Sequence, residues 1–372
     1  MRSKKLIYIV GGARPNFMKI APIVRALNNC NKLEYRIVHT GQHYDHDMND
    51  VFFKELGIPE PDYFMSAGGG SHSEQTGKIM LLFEKYCLNE MPDAVLVVGD
   101  VNSTLACSIV TKKLNLKLIH VEAGLRSNDK TMPEEINRIV TDSISDIYFV
   151  TESSGVDNLL LEGKPENSIY FVGHVMIDNL LYQLNQMQHN AEIIKSIAQF
   201  KEVLNIDLNN YGVVTLHRPS NVDNKKVLSD IIEALNEISL KIPLVFSVHP
   251  RTKAQIEKFK IKTSNRILSI KPQPYMNFLS LWKDSAIVLT DSGGLQEETT
   301  ALGVPCITIR ENTERPITIS EGTNVLSGTS KNSIIEKALN IINGMSMKNR
   351  IPEKWDGKAA IRIVKVLEKS IS

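Results

Sequence analysis

Carboxylates and cations recur in this chain directly after short apolar runs. Ala13-Arg14-Pro15 follows the run 6–10, with Lys19 one turn further on; Gly99-Asp100 follows 94–98, and Glu122-Ala123-Gly124 follows 118–121. One loop later comes Pro133-Glu134-Glu135-Ile136-Asn137-Arg138. Carboxyl groups held beside a reacting carbon act as general bases and acids, and cations among them stabilise a departing anion. A structural ion-pair network would use the same residue types. Here, however, the acids come from separate segments that follow apolar runs, which is how active sites are assembled at the strand ends of open α/β sheets.

The second half of the chain supplies a different set. Thr215-Leu216-His217-Arg218 follows one apolar run and Ser247-Val248-His249-Pro250-Arg251 another. Thr290-Asp291-Ser292-Gly293-Gly294 follows a third and opens a helical pattern, with Glu298 one turn inside it. Glycines at a helix start let backbone N–H groups approach a phosphate, and the positive helix end favours the anion. A carboxylate one turn further in can accept hydrogen bonds from two neighbouring hydroxyls, as a ribose offers. Gly293-Gly294 alone fits a tight turn equally well. Phosphate-plus-ribose spacing beside two histidines and Arg315 points instead to a nucleotide diphosphate.

The elements that must hold these residues alternate along the chain. Strand-like runs fall at 6–10, 35–39, 94–98, 118–121, 147–150 and 169–172, with amphipathic stretches at 17–27, 74–86, 104–113 and 134–144 between them. A second series has runs at 213–216, 244–248, 267–270, 287–289 and 306–309, separated by helical patterns at 226–240, 254–260 and 295–302. The runs are rich in Val, Ile and Leu without strict alternation, the pattern of a parallel sheet covered on both faces. The reading is α/β: two doubly wound Rossmann-like domains facing a cleft. The expected boundaries are 1–177 for the first domain and 178–354 for the second, joined through the polar, helical stretch 178–207. A final helix within 355–372 is expected to pack back on the first domain.

At 372 residues the chain has room for two to three domains of about 100–200 residues each. Lys+Arg total 43 and Asp+Glu 42, a net charge of +1, which gives no electrostatic reason to expect nucleic acid or an anionic membrane as partner. The apolar run near the N-terminus is too short for a signal-peptide core or a membrane span, so a cytoplasmic protein is expected. Cys30, Cys87, Cys107 and Cys306 have no zinc spacing and read as buried reduced thiols. Gly68-Gly69-Gly70 with Gly77-Lys78 imitates a phosphate loop, but Ile79 stands where Ser or Thr is needed. Asp45-His46-Asp47 imitates a metal site without further ligands, and no metal is expected.

Taken in order and spacing, these segments resemble a known family. His120-Val121-Glu122-Ala123-Gly124-Leu125-Arg126, Pro133-Glu134-Glu135-Ile136-Asn137-Arg138 and Asp291-Ser292-Gly293-Gly294-Leu295-Gln296-Glu297-Glu298 are similar to signatures of the non-hydrolysing UDP-N-acetylglucosamine 2-epimerases. Gly12-Ala13-Arg14-Pro15, Gly99-Asp100, His217-Arg218 and Thr313-Glu314-Arg315-Pro316 match too, and the likeness runs from residue 6 to about 330. The hydrolysing relatives usually end their first strand in a Thr-Arg-Ala-Asp type of motif; Ala13-Arg14-Pro15-Asn16 sides with the non-hydrolysing branch. The resemblance implies a fold like that of the B-type glycosyltransferases, interconversion of UDP-GlcNAc and UDP-ManNAc for surface polysaccharide precursors, a homodimer, and no metal or nicotinamide cofactor. It implies Asp100, Glu122 and Glu134 as the acid–base group, with His217 also catalytic. Arg14, His217 and Arg315 would neutralise the phosphates, Ser292 and Gly293 would bind the pyrophosphate, and Glu298 the ribose. Lys19, Arg138 and His249 complete the substrate-binding set.

The sugar C2 proton has no adjacent carbonyl to stabilise a carbanion. The route open without a redox cofactor is loss of UDP from C1 as the C2 proton is removed, giving 2-acetamidoglucal, followed by re-addition with the proton delivered to the other face. Two segments depart from the better-known members. The loop 127–132 is shorter and lacks an aromatic residue, and Tyr44 follows Gln42-His43 where those members carry Arg. The first leaves open a modified sugar such as UDP-2,3-diacetamido-glucuronic acid. The second, with Glu74 preceding Gln75, predicts a weak regulatory nucleotide-sugar site at Gln42, His43 and Gln75. A glycosyltransferase of the same fold would need an acceptor groove and has less use for three acids. A silent binding protein would not need Asp100, Glu122 and Glu134 intact.

Overall fold

Residues 94–98, Ala-Val-Leu-Val-Val, are buried without exception, and they form the middle of a sheet covered on both faces, as their composition requires. The computed structural model describes residues 4–42, 50–204, 210–345 and 348–371, so His43, Tyr44 and Asp45-His46-Asp47 lie outside the described residues. The chain divides into two compact units, one made of residues 1–182 and 353–372, the other of residues 183–352.

The first unit is built on the strands β1 Lys5–Gly11, β2 Leu33–His39, β3 Tyr63–Phe64, β4 Ala94–Val98, β5 Lys117–Val121, β6 Ile147–Val150 and β7 Ile169–Phe171. They form one sheet in the order β3-β2-β1-β4-β5-β6-β7, with every pair parallel. Its helices are α1 Arg14–Leu27, α2 Asp50–Leu56, α3 His72–Asn89, α4 Asn102–Lys113, α5 Pro133–Ile144, α6 Ser153–Leu161 and the start of α7 Val175–His189.

The second unit repeats the scheme. After α8 Ala191–Leu204 come β8 Gly212–Thr215, α9 Pro219–Val222, α10 Lys225–Ser239, β9 Leu244–Ser247, α11 Pro250–Phe259, β10 Ile267–Ile270 and α12 Tyr275–Trp282. The rest is β11 Ile287–Thr290, α13 Gly293–Leu302, β12 Cys306–Thr308, α14 Ile317–Ser320, β13 Asn324–Leu326 and α15 Lys331–Ile342. The parallel sheet runs β10-β9-β8-β11-β12-β13. Both units are therefore doubly wound and Rossmann-like. In each, the chain reverses its direction of winding beside the first strand, between β1 and β4 or between β8 and β11, and ligands gather beyond the carboxyl ends there.

The last helix, α16 Ala359–Ser370, belongs to the first unit. Asp178 anchors its start, accepting from the Ala359 and Ala360 N–H groups at 3.1 and 2.7 Å. The division falls after Tyr182 and after Pro352, a few residues from the expected 177/178 and 354/355, and α7 runs unbroken across both 177/178 and 182/183. All four cysteines are free and buried; burial pushes the thiols of Cys87 and Cys306 up to about 12. Among the described residues no helix is long and apolar enough to cross a membrane.

Candidate active site

In the first unit the side chain of Asn16 ties the switch point together. It accepts from the N–H groups of Gly12 and Ala13 at 3.1 and 2.9 Å and donates to the Val98 carbonyl at 3.3 Å, joining the exits of β1 and β4. One turn into α1, Lys19 forms a short ion pair with Glu122, which leaves β5. Glu122 is buried, and its φ of +68° is left-handed, a conformation unfavourable for any residue with a Cβ and common at functional sites.

Asp100, at the exit of β4, pairs with Arg138 of α5. The other end of that guanidinium donates to Glu135 at 2.7 Å, and Glu135 also accepts from the Ser127 and Asn128 N–H groups at 2.9 and 3.2 Å. Glu135 thus shapes the 127–132 loop, while Arg138 holds Asp100 in place. Glu134 is exposed in the first turn of α5 and makes no side-chain hydrogen bond among the described residues. Arg14 is half-buried, its guanidinium 5.3 Å from the centre of the Phe52 ring. So Lys19, Glu122, Asp100 and Arg138 come together in two ion pairs on adjacent strand ends, and Arg14 and Glu134 stand outside those pairs.

Gln42 and Gln75 are also buried. The Gln42 carbonyl oxygen of the side chain accepts from Ser103 N–H and Oγ–H at 2.9 and 2.7 Å. Gln75 donates to the Gln42 backbone carbonyl at 3.0 Å and accepts from Asn102 at 2.8 Å. Asn137 continues the chain, donating to Asn102 at 3.2 Å and to the Asp100 carbonyl at 2.9 Å. These two residues brace the start of α4 behind Asp100.

In the second unit Asp291, at the end of β11, is fully buried. It accepts from the backbone N–H groups of His217 and Arg218 at 3.0 and 2.9 Å and faces His217 Nδ1 at 2.8 Å. Burial pushes the Asp291 carboxyl up, but the His217 ring and these N–H groups hold it below the usual carboxylate value. His217 is thereby fixed by Nδ1, with its side chain 42% exposed. His249 caps α11, its Nδ1 accepting from Arg251 N–H at 3.2 Å, which leaves Nε2 as the donor. Burial, then the positive potential of His217 and Arg251, lowers the pKa of His249.

Ser292 precedes α13 without capping it through its side chain. A Cβ at Gly293 or Gly294 would meet nothing within 4 Å, and neither has a positive φ. The chain's own packing therefore does not require glycine there, although each glycine in a helix costs about 1 kcal/mol against alanine. The open space lies where backbone N–H groups would receive a phosphate. Glu298 accepts from the Tyr275 hydroxyl at 2.7 Å; burial, with the carboxylate beside it, holds that phenol well above its usual range, so it stays a donor. Arg315 pairs with Glu297. Tyr275, Glu297 and Asp291 had no role assigned from sequence: Asp291 followed a strand-like run and was open to notice, whereas nothing in the sequence near Tyr275 says that α12 meets α13.

The loop bearing Arg315 is set by Glu314, which takes both ends of the Arg310 guanidinium at 2.9 and 2.8 Å and lies 3.7 Å from Arg218. Burial pushes Glu314 up, but the bonds and charge of Arg310 outweigh it and bring its pKa down to about 2. A depressed carboxyl adds stability above its unfolded value, near 4.3, and that contribution is lost as pH falls through about 2. Glu314→Gln is expected to destabilise the protein by about 1.5–3 kcal/mol near neutral pH, and by progressively less below pH ~4. Urea unfolding of both proteins at a series of pH values measures this; a difference independent of pH would contradict it.

The sequence model of the UDP-N-acetylglucosamine 2-epimerase family matches residues 25–368. The chain belongs to this family. It is an isomerase of the epimerase type, and its two sheets are those of a known epimerase architecture. A UDP-N-acetylglucosamine 2-epimerase of Methanocaldococcus jannaschii is 44% identical over 366 residues, 96% of this chain and 98% of the relative. A UDP-2,3-diacetamido-2,3-dideoxy-D-glucuronate 2-epimerase of Pseudomonas aeruginosa is 39% identical, covering 98% of this chain and 99% of that one. The crystal structure of the M. jannaschii UDP-GlcNAc 2-epimerase in complex with UDP-GlcNAc and UDP superposes with a TM-score of 0.86 at 42% identity, covering 98% of this epimerase and all of that chain.

Proposed function

We propose that this epimerase interconverts UDP-N-acetylglucosamine and UDP-N-acetylmannosamine by elimination and re-addition of UDP. The observation that carries the reading is the pair of ion-paired carboxylates, Asp100 with Arg138 and Glu122 with Lys19, on adjacent strand ends at the switch point of the first unit. A base among Asp100, Glu122 and Glu134 removes the C2 proton. The C2–H electrons form the C1=C2 bond, the C1–O bond breaks, and UDP departs with its electron pair. UDP then adds back to C1 while a carboxylic acid protonates the opposite face of C2. The open N-terminus of α13, with Ser292, Gly293 and Glu298, takes the pyrophosphate and ribose, and His217, His249, Arg14 and Arg315 balance the phosphate charge. In this reading the enzyme works as a cytoplasmic homodimer on a nucleotide sugar.

A second substrate is favoured by one finding, the 39% identity to the P. aeruginosa enzyme named for UDP-2,3-diacetamido-2,3-dideoxy-D-glucuronate. Incubation of each sugar in heavy water, followed at C2 by proton NMR, tests both. The substrate is expected to carry deuterium at C2 in both epimers. Epimerisation that keeps the original hydrogen at C2 would eliminate the proposed chemistry, and turnover of the diacetamido sugar alone would change the substrate.

A further inference from the structure

His120 lies on β5 with no exposed surface, and both of its ring nitrogens are engaged. Nδ1 is 2.6 Å from Asp142 Oδ1 and Nε2 is 2.8 Å from the Gly99 carbonyl. A carbonyl can only accept, so Nε2 carries a proton and donates. Asp142, on α5, is equally buried, and its Oδ2 accepts from Gly124 N–H at 3.0 Å and from Arg126 at 2.7 Å. Arg126 is itself clamped by Glu162 through two bonds of 2.8 Å. Burial pushes the Asp142 carboxyl up, but the His120 ring and the Arg126 guanidinium hold it below its usual value. The Tyr148 hydroxyl donates to the Asp142 backbone carbonyl at 2.9 Å.

The endpoints of this network flank the two ion-paired acids. Gly99 immediately precedes Asp100, and Gly124 lies two residues beyond Glu122. Gly99, Glu122 and Gly124 have φ of +67°, +68° and +80°, so both strand exits turn in the same left-handed sense. The Gly99 N–H also donates to the Val121 carbonyl at 3.0 Å. A left-handed glutamate persists only where its surroundings over-determine it. Here Lys19 grips its side chain, and Asp142 holds the backbone two residues on.

We infer that His120 and Asp142 are positioning residues that hold the exits of β4 and β5 in register, and so set Asp100 and Glu122 at one spacing for the two proton transfers. The inference rests on the acid–base reading of those two carboxylates. The pair touches neither carboxylate directly; it acts through the Gly99 carbonyl and the Gly124 N–H. Misplacement of a reacting group by about 1 Å costs on the order of a hundredfold in rate, while UDP affinity, which falls to the second unit, should not follow it.

The test uses the full-length enzyme and two substitutions that divide the bridge. In His120→Asn the amide nitrogen replaces Nδ1, keeping the bond to Asp142 and losing the one to Gly99. In His120→Gln the amide nitrogen replaces Nε2 and keeps the bond to Gly99. Each cuts one end of the bridge, so both His120→Asn and His120→Gln are expected to lower kcat roughly ten- to a hundredfold, with KM and the Kd for UDP within about threefold. A folded His120→Asn enzyme with the wild-type kcat, or equal losses in kcat and UDP affinity, would overturn the positioning role. Should His120→Asn not fold, Asp142→Asn serves, with a roughly tenfold loss of kcat expected and wild-type kcat overturning. Asp100→Asn is run beside them. If it turns over like wild type, the acid–base reading fails and the pair's role with it; if it is inactive beside a fully active His120→Asn, only the positioning role fails.

Discussion

Asp100→Asn is expected to lower kcat by about three orders of magnitude while leaving the Kd for UDP within about threefold of wild type. The substitution preserves shape, and the amide oxygen can still accept from Arg138, so the strand exit should remain in place. What is lost is the proton-transfer capacity, and general acid–base catalysis contributes roughly 10²–10⁴ in rate. Asp100 is partly exposed, at 25% for its side chain, so the cost in folding is small. The division between the units makes the prediction specific. Asp100 belongs to the first unit, whereas the open helix start proposed for UDP belongs to the second. Epimer interconversion followed by NMR measures turnover, and calorimetric titration with UDP measures affinity. A variant that loses UDP affinity but keeps its turnover at saturation would reverse the assigned roles.

The strand ends were legible because the runs before them are buried on both faces and so appear as unbroken Val, Ile and Leu. That pattern alone places Asp100, Glu122, His217 and Ser292 at loop positions. Strands β3 and β13, of two and three residues, were not foreseen; the equally short β7 and β12 lie in runs that Val172 and Ile309 prolong. Helix α12 was missed for a related reason. Its sequence, YMNFLSLW, is apolar on most sides, and a short apolar run does not distinguish a buried strand from a buried helix.

Pairing across the fold was the larger gap. Gln42 and Gln75 are candidates for a regulatory ligand through the family resemblance. The structure commits their side chains to Ser103, Asn102 and the backbone, contacts that depend on how β2, α3 and α4 meet. Arg138 read as a substrate cation, yet its guanidinium divides between Asp100 and Glu135. His120 stood in the most recognisable motif and still carried no assignment. Its partner Asp142 lies 22 residues away on α5, and only the parallel packing of helix on sheet brings them together. Local chemistry was therefore readable, and the side chains that orient it were not.

Glu298→Ala is expected to weaken UDP binding by about two to three orders of magnitude with a much smaller effect on kcat at saturating substrate. Glu298 is buried one turn inside α13, on the helix whose start carries Gly293 and Gly294. A carboxylate there can accept from both hydroxyls of a ribose. Charge-assisted hydrogen bonds are worth about 1.5–3 kcal/mol each, so losing two removes at least about 3 kcal/mol, or roughly two decades in affinity. The substitution also removes the acceptor of the Tyr275 hydroxyl, 2.7 Å away, which could loosen α12 against α13 and weaken binding indirectly. Tyr275→Phe separates the two effects, because it deletes that hydrogen bond and keeps the carboxylate. Its UDP affinity is expected to stay within about tenfold of wild type, consistent with the loss of one hydrogen bond. If Tyr275→Phe instead weakened UDP as severely as Glu298→Ala, the carboxylate would be serving the packing of the second unit. The ribose would then have to be held by another group at the strand ends.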